Sequence, residues 1–259
     1  MPLDLLNLDG RRALVTGAGT GLGRQMTLGL VEAGADVVIC GRRLDRLEET
    51  ARIVLQQLDR TIETVAADVT DPVDVRRLAE AAGRVDILVN NAGLAPNQPW
   101  LELSLEEWRS VMALNVDAPF RLCQLLVPGM IGRGWGRVIN IGSIYGHLGG
   151  DVRHYPDWWD VPSYFVSKHA LNGLTHYLAA KVAATGVTVN TLSPGGFSGS
   201  EQNEDISTPD AVRSFLDATP AKRLGGADDL KGAVVFLASE GSAFVTGQNL
   251  VVDGGWSIV

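Results

Sequence analysis

Short apolar runs alternate along the chain with longer stretches in which apolar and charged positions recur at helical spacing. Residues 12–16 and 36–40 read as buried strands, and Val37, Val38 and Ile39 are apolar in succession. An unbroken apolar run of that length marks a strand covered on both faces. Residues 61–66, 86–89, 137–141, 187–192 and 249–252 read the same way. Between them, residues 21–33 (closed by Gly34), 44–58, 73–82, 163–184 and 228–238 predict helices. Ser104, followed by Leu105, Glu106 and Glu107, predicts an N-cap and an acidic first turn that open a long helix toward Leu126. The βαβα alternation predicts one α/β domain over residues 1–259, a Rossmann-type doubly wound parallel sheet of about seven strands with helices on both faces. Ligands in such sheets sit at the carboxyl ends of the strands, so the residues that follow each strand carry the argument.

Composition narrows the partners. The formal net charge of −8 repels phosphate backbones, which argues against nucleic acid and requires a local exception for any anionic cofactor. No apolar run approaches the ~20 residues that span a bilayer. The first residues lack a basic segment followed by an apolar core, so no signal peptide is expected. Cys40 and Cys123 lie in apolar runs without a partner motif, which fits a reducing, cytoplasmic compartment. The four histidines, His147, His154, His169 and His176, form no metal-ligand spacing. His169 reads as packing or surface, whereas His147 and His154 fall where a substrate contact is open to them.

The first strand runs into Thr16-Gly17-Ala18-Gly19-Thr20-Gly21-Leu22-Gly23. Glycines let a backbone approach a pyrophosphate, and the helix behind offers unpaired N–H groups and the positive end of its dipole. A tight strand–helix turn would use glycines too. The position between a strand and a helix near the N-terminus favours the dinucleotide. The second strand ends in Cys40-Gly41-Arg42-Arg43 instead of the acid that binds a ribose 2′-hydroxyl. Arg42 and Arg43 suit a 2′-phosphate, which predicts NADP(H) over NAD(H); the alternative is a solvated helix start. Asp68-Val69 and Asn90-Asn91-Ala92-Gly93 follow further strands. Asp68 is placed to accept from an adenine amino group, and Asn90 is expected to brace two backbone segments.

Tyr164 and Lys168 stand at i and i+4 on a predicted helix, which puts phenol and ammonium on one face. The cation is expected to lower the phenol pKa and so fit it for proton exchange with a substrate oxygen. Ser143, at a preceding strand end, supplies a hydroxyl for the same oxygen.

Taken in order, these segments resemble a short-chain dehydrogenase/reductase of the classical type over nearly the whole chain. Asn115, Pro194-Gly195, Val245-Thr246-Gly247-Gln248 and Asp253-Gly254-Gly255 complete the likeness. The resemblance implies hydride transfer between a nicotinamide cofactor and an alcohol or ketone. It makes Tyr164 the general acid/base and Ser143 the substrate-orienting hydroxyl. Asn115 would hold a relay water, Lys168 would also bind the nicotinamide ribose, and Pro194-Gly195 would border the nicotinamide. A substrate lid over about 197–220 and a homotetramer or homodimer are implied as well. Gly199 stands where the family often has a cofactor-contacting threonine. The stretch from Ser143 to Tyr164 is longer than usual, with an insertion over about 146–162 that carries His147, His154, Tyr155, Trp158 and Trp159. These are read as a substrate wall, the alternatives being a subunit contact or a surface loop. Sugars, sugar acids, polyols and 3-oxoacyl thioesters are the substrate classes considered. A dinucleotide-sensing regulator would need the glycines but not Asn115, Ser143, Tyr164 and Lys168, and an isomerase or dehydratase of this fold would carry a larger C-terminal region.

Overall fold

The computed structural model describes residues 4–149, 160–198 and 209–259. Seven parallel strands form one sheet in the order β3-β2-β1-β4-β5-β6-β7. They are β1 (Arg12–Thr16), β2 (Asp36–Gly41), β3 (Glu63–Ala66), β4 (Ile87–Asn90), β5 (Gly136–Ile141), β6 (Val187–Pro194) and β7 (Asn249–Val252). The chain winds outward from β1 through β2 to β3, then returns to the other side of β1 with β4. That reversal opens a crevice at the carboxyl ends of β1 and β4, where such sheets take their ligands.

Alternation along each strand divides the core in two. Ala13, Val15, Val37, Ile39, Val89 and Ile139 point toward helices α1 (Gly21–Glu32), α2 (Leu44–Leu58) and α8 (Lys231–Ala238). Leu14, Val38, Leu88, Val138 and Val189 point toward α3 (Pro72–Ala82), α5 (Ala118–Arg133) and α6 (Pro162–Val182). Both faces are therefore covered, which is why β1, β2, β4 and β5 are buried through almost their whole length. Fully burying each such side chain contributes about 1.5–3 kcal/mol.

Two elements depart from the sequence pattern. The helix opened by Ser104 has the expected reciprocal capping box with Glu107, but it is not one α-helix ending near Leu126. It runs as α4 (Leu105–Met112), a π turn (Ala113–Asp117) and α5, ending at Arg133. Pro119 explains the break: it has no N–H for the carbonyl four residues back, that of Asn115. The Ala118 N–H bonds the Ala113 carbonyl in the wider i→i+5 pattern instead. The second departure is α7 (Pro209–Ala218), which lies inside the segment read as a lid. Val212, Phe215 and Leu216 at helical spacing were the available signal.

Candidate active site

The glycine turn is held open by a network that the sequence reading missed. Thr16 Oγ1 accepts the backbone N–H groups of Asn91 and Ala92, each at 2.9 Å. Asn91 Nδ2 donates to the carbonyls of Thr16 (2.8 Å) and Gly17 (3.0 Å). The brace between two backbone segments is thus Asn91, not Asn90. Asn90 Nδ2 instead donates to Asn140 Oδ1 at 2.8 Å, within a buried polar row that continues through Thr175 to Thr191. On the far side, Thr50 Oγ1 donates to the Ala18 carbonyl at 3.0 Å, and Arg24 donates to the Gly19 carbonyl at 2.7 Å.

The turn fits a pyrophosphate. Thr20 occupies the N-cap of α1 without a side-chain capping bond, so the first-turn N–H groups stay open to an anion. Gly17 has φ +64° and Gly21 φ +52°. A Cβ on Gly23 would lie 2.4 Å from the Gly17 carbonyl oxygen and 2.6 Å from Asn91 Nδ2. Gly23→Ala should therefore distort the turn. The expected outcome is dinucleotide affinity reduced at least tenfold and stability lowered by about 1–3 kcal/mol, read by titration and thermal unfolding. Unchanged affinity would show that the close approach is not needed.

At the ribose end, Arg42 and Arg43 are both exposed, and Arg42 forms no ion pair with a described residue. Asp68 is half-buried; its Oδ1 accepts from the N–H and hydroxyl of Thr70. Val69 is buried beside it.

The four residues assigned to proton chemistry come together where β4, β5 and α6 meet. Lys168 is 4% exposed, and its Nζ donates to the Ile141 carbonyl at 2.7 Å. That ammonium lies 5.4 Å from the Tyr164 ring centroid. Ser143, at the end of β5, caps the short turn Ile144–Gly146 through the Tyr145 N–H and lies close enough to the Tyr164 phenol to hold its pKa down. Burial pushes the Tyr164 phenol up, and the Ser143 hydrogen bond draws it back. The lowering influence on the phenol is thus the serine, where the sequence spacing pointed to the lysine. Burial also depresses Lys168 to about 8, so the ammonium stays mostly charged at neutrality.

Asn115 is 1% exposed and sits on the π turn. Its carboxamide clasps both the N–H and the carbonyl of Leu94, each at 3.0 Å, and donates to Ser167 Oγ at 2.9 Å. Ser167 in turn donates to the Tyr164 carbonyl at 2.8 Å. This serine, inside the Tyr-x-x-x-Lys spacing, was passed over in the sequence. A methyl on Gly93 would come within 3.2 Å of Asn115 Oδ1 and 3.6 Å of Lys168 Nζ, which places the Ala92-Gly93 bend against both. Pro194-Gly195 closes the same end of the sheet, with the Gly195 N–H on the Val252 carbonyl at 2.9 Å.

Aromatic rings edge the site. Tyr145 stacks on Phe165 at 4.6 Å and meets Tyr164 and Trp256 edge-on at 6.2 and 6.4 Å. Phe215 of α7 stacks on Trp256 at 5.8 Å. None of Tyr145, Phe165, Phe215 and Trp256 was singled out from sequence. His147 is exposed, and its Nδ1 lies 3.2 Å from Asn249 Nδ2, so its ring turns toward β7. His154, Tyr155, Trp158 and Trp159, and Gly199 of the lid, lie outside the described residues.

A doubly wound sheet, an open glycine turn at its switch point and a tyrosine–lysine–serine cluster beside it define the class: an oxidoreductase dependent on a nicotinamide dinucleotide. The family described as "Enoyl-(Acyl carrier protein) reductase" matches residues 17–257. The chain is similar to 2-dehydro-3-deoxy-D-gluconate 5-dehydrogenase of Dickeya dadantii, 38% identical across 99% of both chains. It is 34% identical to the 3-oxoacyl-(acyl-carrier-protein) reductase of Escherichia coli, over 98% of this chain and 100% of that one. The crystal structure of a gluconate 5-dehydrogenase from Burkholderia cenocepacia, in complex with NADP and tartrate, superposes with a TM-score of 0.91 at 35% identity over 100% of both chains. The chain belongs to the short-chain dehydrogenase/reductase family and acts as an NAD(P)-dependent oxidoreductase on CH–OH groups of small polar molecules.

Proposed function

We propose that the protein interconverts a hydroxyl and a ketone on a sugar acid of the gluconate or 3-deoxy-2-ketogluconate type, with NADP(H) preferred over NAD(H). The observation that carries this reading is the meeting of Ser143, Tyr164 and buried Lys168 at one end of the sheet. Two hydroxyls there converge on one point, where a substrate oxygen can be held and can exchange a proton. The nicotinamide supplies the hydride acceptor or donor.

Tyr164 gives its phenolic proton to the forming alkoxide in reduction and takes it back in oxidation. Ser143 holds the substrate oxygen during that exchange. Lys168 sets the charge beneath the ring and binds the nicotinamide ribose hydroxyls. Asn115 holds a relay water that resupplies the proton by way of Lys168. The Ser167 bridge to the Tyr164 carbonyl supports this assignment, because it ties the π turn to the catalytic helix.

The pocket reading favours a compact polar substrate over an acyl chain. Tyr145, Trp256 and Phe215 wall one side with rings, which stack on the C–H faces of polyhydroxylated carbons. His147, at the start of the insertion over 146–162, is proposed as a further substrate contact, as are His154, Trp158 and Trp159, which lie outside the described residues, with 197–220 as the lid. Support comes from how the insertion ends. Gly146 accepts from Asn172 Nδ2 at 2.9 Å, and Asp160 is clipped to the β4 loop through Asn97, Gln98 and Trp100, each contact at 2.7 Å. Exposed Phe120 and Leu125 on α5, with Val166 and Tyr177 on α6, support a homo-oligomer, a homotetramer or homodimer. Two free, buried cysteines support a cytoplasmic location.

The test is a substrate panel of gluconate, 2-keto-3-deoxygluconate, galactitol and a 3-oxoacyl thioester. Each is assayed with both cofactors through the near-ultraviolet absorbance of reduced nicotinamide. A sugar acid is expected to give a kcat/KM at least tenfold above the thioester. The reverse order would assign the chain to acyl reduction.

A further inference from the structure

Beside the glycine turn stands an arginine that neither motif contains. Arg46 lies in the first turn of α2, and its Cβ would be only 2.9 Å from a Cβ placed on Gly19. Its stem therefore rests directly on the turn that receives the dinucleotide, on the side where Gly41 and Arg42 end β2. The side chain is 46% exposed. Its guanidinium is held by Glu49, with NH1 to Oε2 at 3.2 Å, and lies 3.9 Å from Asp45.

The Glu49 contact is built so that Arg46 can leave it. The same Oε2 atom is 3.3 Å from NH2 of Arg24. Arg24 is fixed, because it also donates to the Gly19 carbonyl at 2.7 Å and to Thr50 Oγ1 at 3.1 Å. Departure of Arg46 thus leaves Glu49 with a cation, and no carboxylate is stranded. Exposed pairs of this kind are weak, weaker than a charge-assisted bond to a phosphate dianion. The overall charge of −8 makes a local cationic patch necessary for a phosphorylated ribose. Arg42 and Arg43 stand where β2 ends, and Arg46, resting on the glycine turn, would add a further cation to that patch.

We propose that Arg46 is a cofactor-specificity residue: it swings from Glu49 to the 2′-phosphate of NADP(H), while Arg24 keeps Glu49 neutralised. The inference rests on the reading that the site prefers the phosphorylated cofactor, and adds a residue to it.

Binding to the apoprotein, by quenching of tryptophan fluorescence with NADPH and NADH, tests the idea without turnover. Arg46→Gln is expected to weaken NADPH about tenfold and leave NADH unchanged. Glu49→Gln should act in the opposite direction, tightening NADPH a few-fold because it releases Arg46 from its competitor. A merely structural role for the pair predicts instead that both variants weaken both cofactors alike, and that result overturns the proposal, as does Arg46→Gln without effect. Arg42→Gln separates the two levels. If wild type binds NADPH no tighter than NADH, the preference itself is lost. If Arg42→Gln removes a preference that Arg46→Gln leaves intact, only the role of Arg46 is lost.

Discussion

Tyr164→Phe is expected to lower kcat/KM by about 10²–10⁴-fold while dinucleotide affinity stays within about twofold of wild type. The ring is kept, so the edge contact with Tyr145 at 6.2 Å and the packing over Lys168 survive. What is lost is one hydroxyl, the group proposed to exchange the proton. Burial raises the phenol and the serine bond opposes that, so the neutral phenol is the dominant resting form, suited to act as an acid in ketone reduction. Steady-state kinetics with a separate cofactor titration makes the check. A variant that keeps most of its rate would remove Tyr164 from the chemistry and leave Ser143 or a water as the proton donor.

Lys168→Met should cost turnover about 10²-fold or more and, unlike the tyrosine variant, should also weaken cofactor binding. Its effect on stability has the opposite sign. Burial lowers the ammonium from 10.5 to about 8. The unfolded chain therefore holds the proton more tightly than the folded one, and below pH 8 the charged lysine destabilises the fold by a constant amount. Between pH 8 and 10.5 the folded protein releases that proton while the unfolded chain still retains it, so the lysine's contribution to stability rises with pH across this window. The gap corresponds to about 3 kcal/mol. Denaturant unfolding of both proteins across this range gives the difference directly. Wild type should gain on Lys168→Met as pH rises from 8 to 10.5; a flat difference would mean that the lysine keeps its ordinary pKa. Such a charge, kept in place against its cost to stability, is what a functional role predicts.

The fold was legible because its cause is local and repetitive. Strands covered on both faces are apolar where they pass through the core, as Val37, Val38 and Ile39 of β2 and Ile87, Leu88 and Val89 of β4 show. The glycine turn, Ser143, Tyr164 and Lys168 were legible for a related reason. Each sits at a strand end or on a helix face whose location follows from the alternation. The family likeness then joined them into one site. Register along the chain was enough to name these residues.

What the chain order did not contain is which polar groups meet across it. Asn90 and Asn91 are neighbours with the same side chain, yet one joins a buried row on β4, β5 and β6 and the other braces the glycine turn. Only the pleat of β4 and the nearness of Thr16 decide between them. Ser167 gains its place from Asn115, 52 residues away, and Arg46 from Gly19 on a different helix-bearing turn. The pKa of Tyr164 turned on burial and on Ser143, and spacing could report neither. Periodicity encodes which face of an element is dry. Hydrogen bonds and desolvation depend on distances between elements, and these exist only once the sheet and its helices have packed.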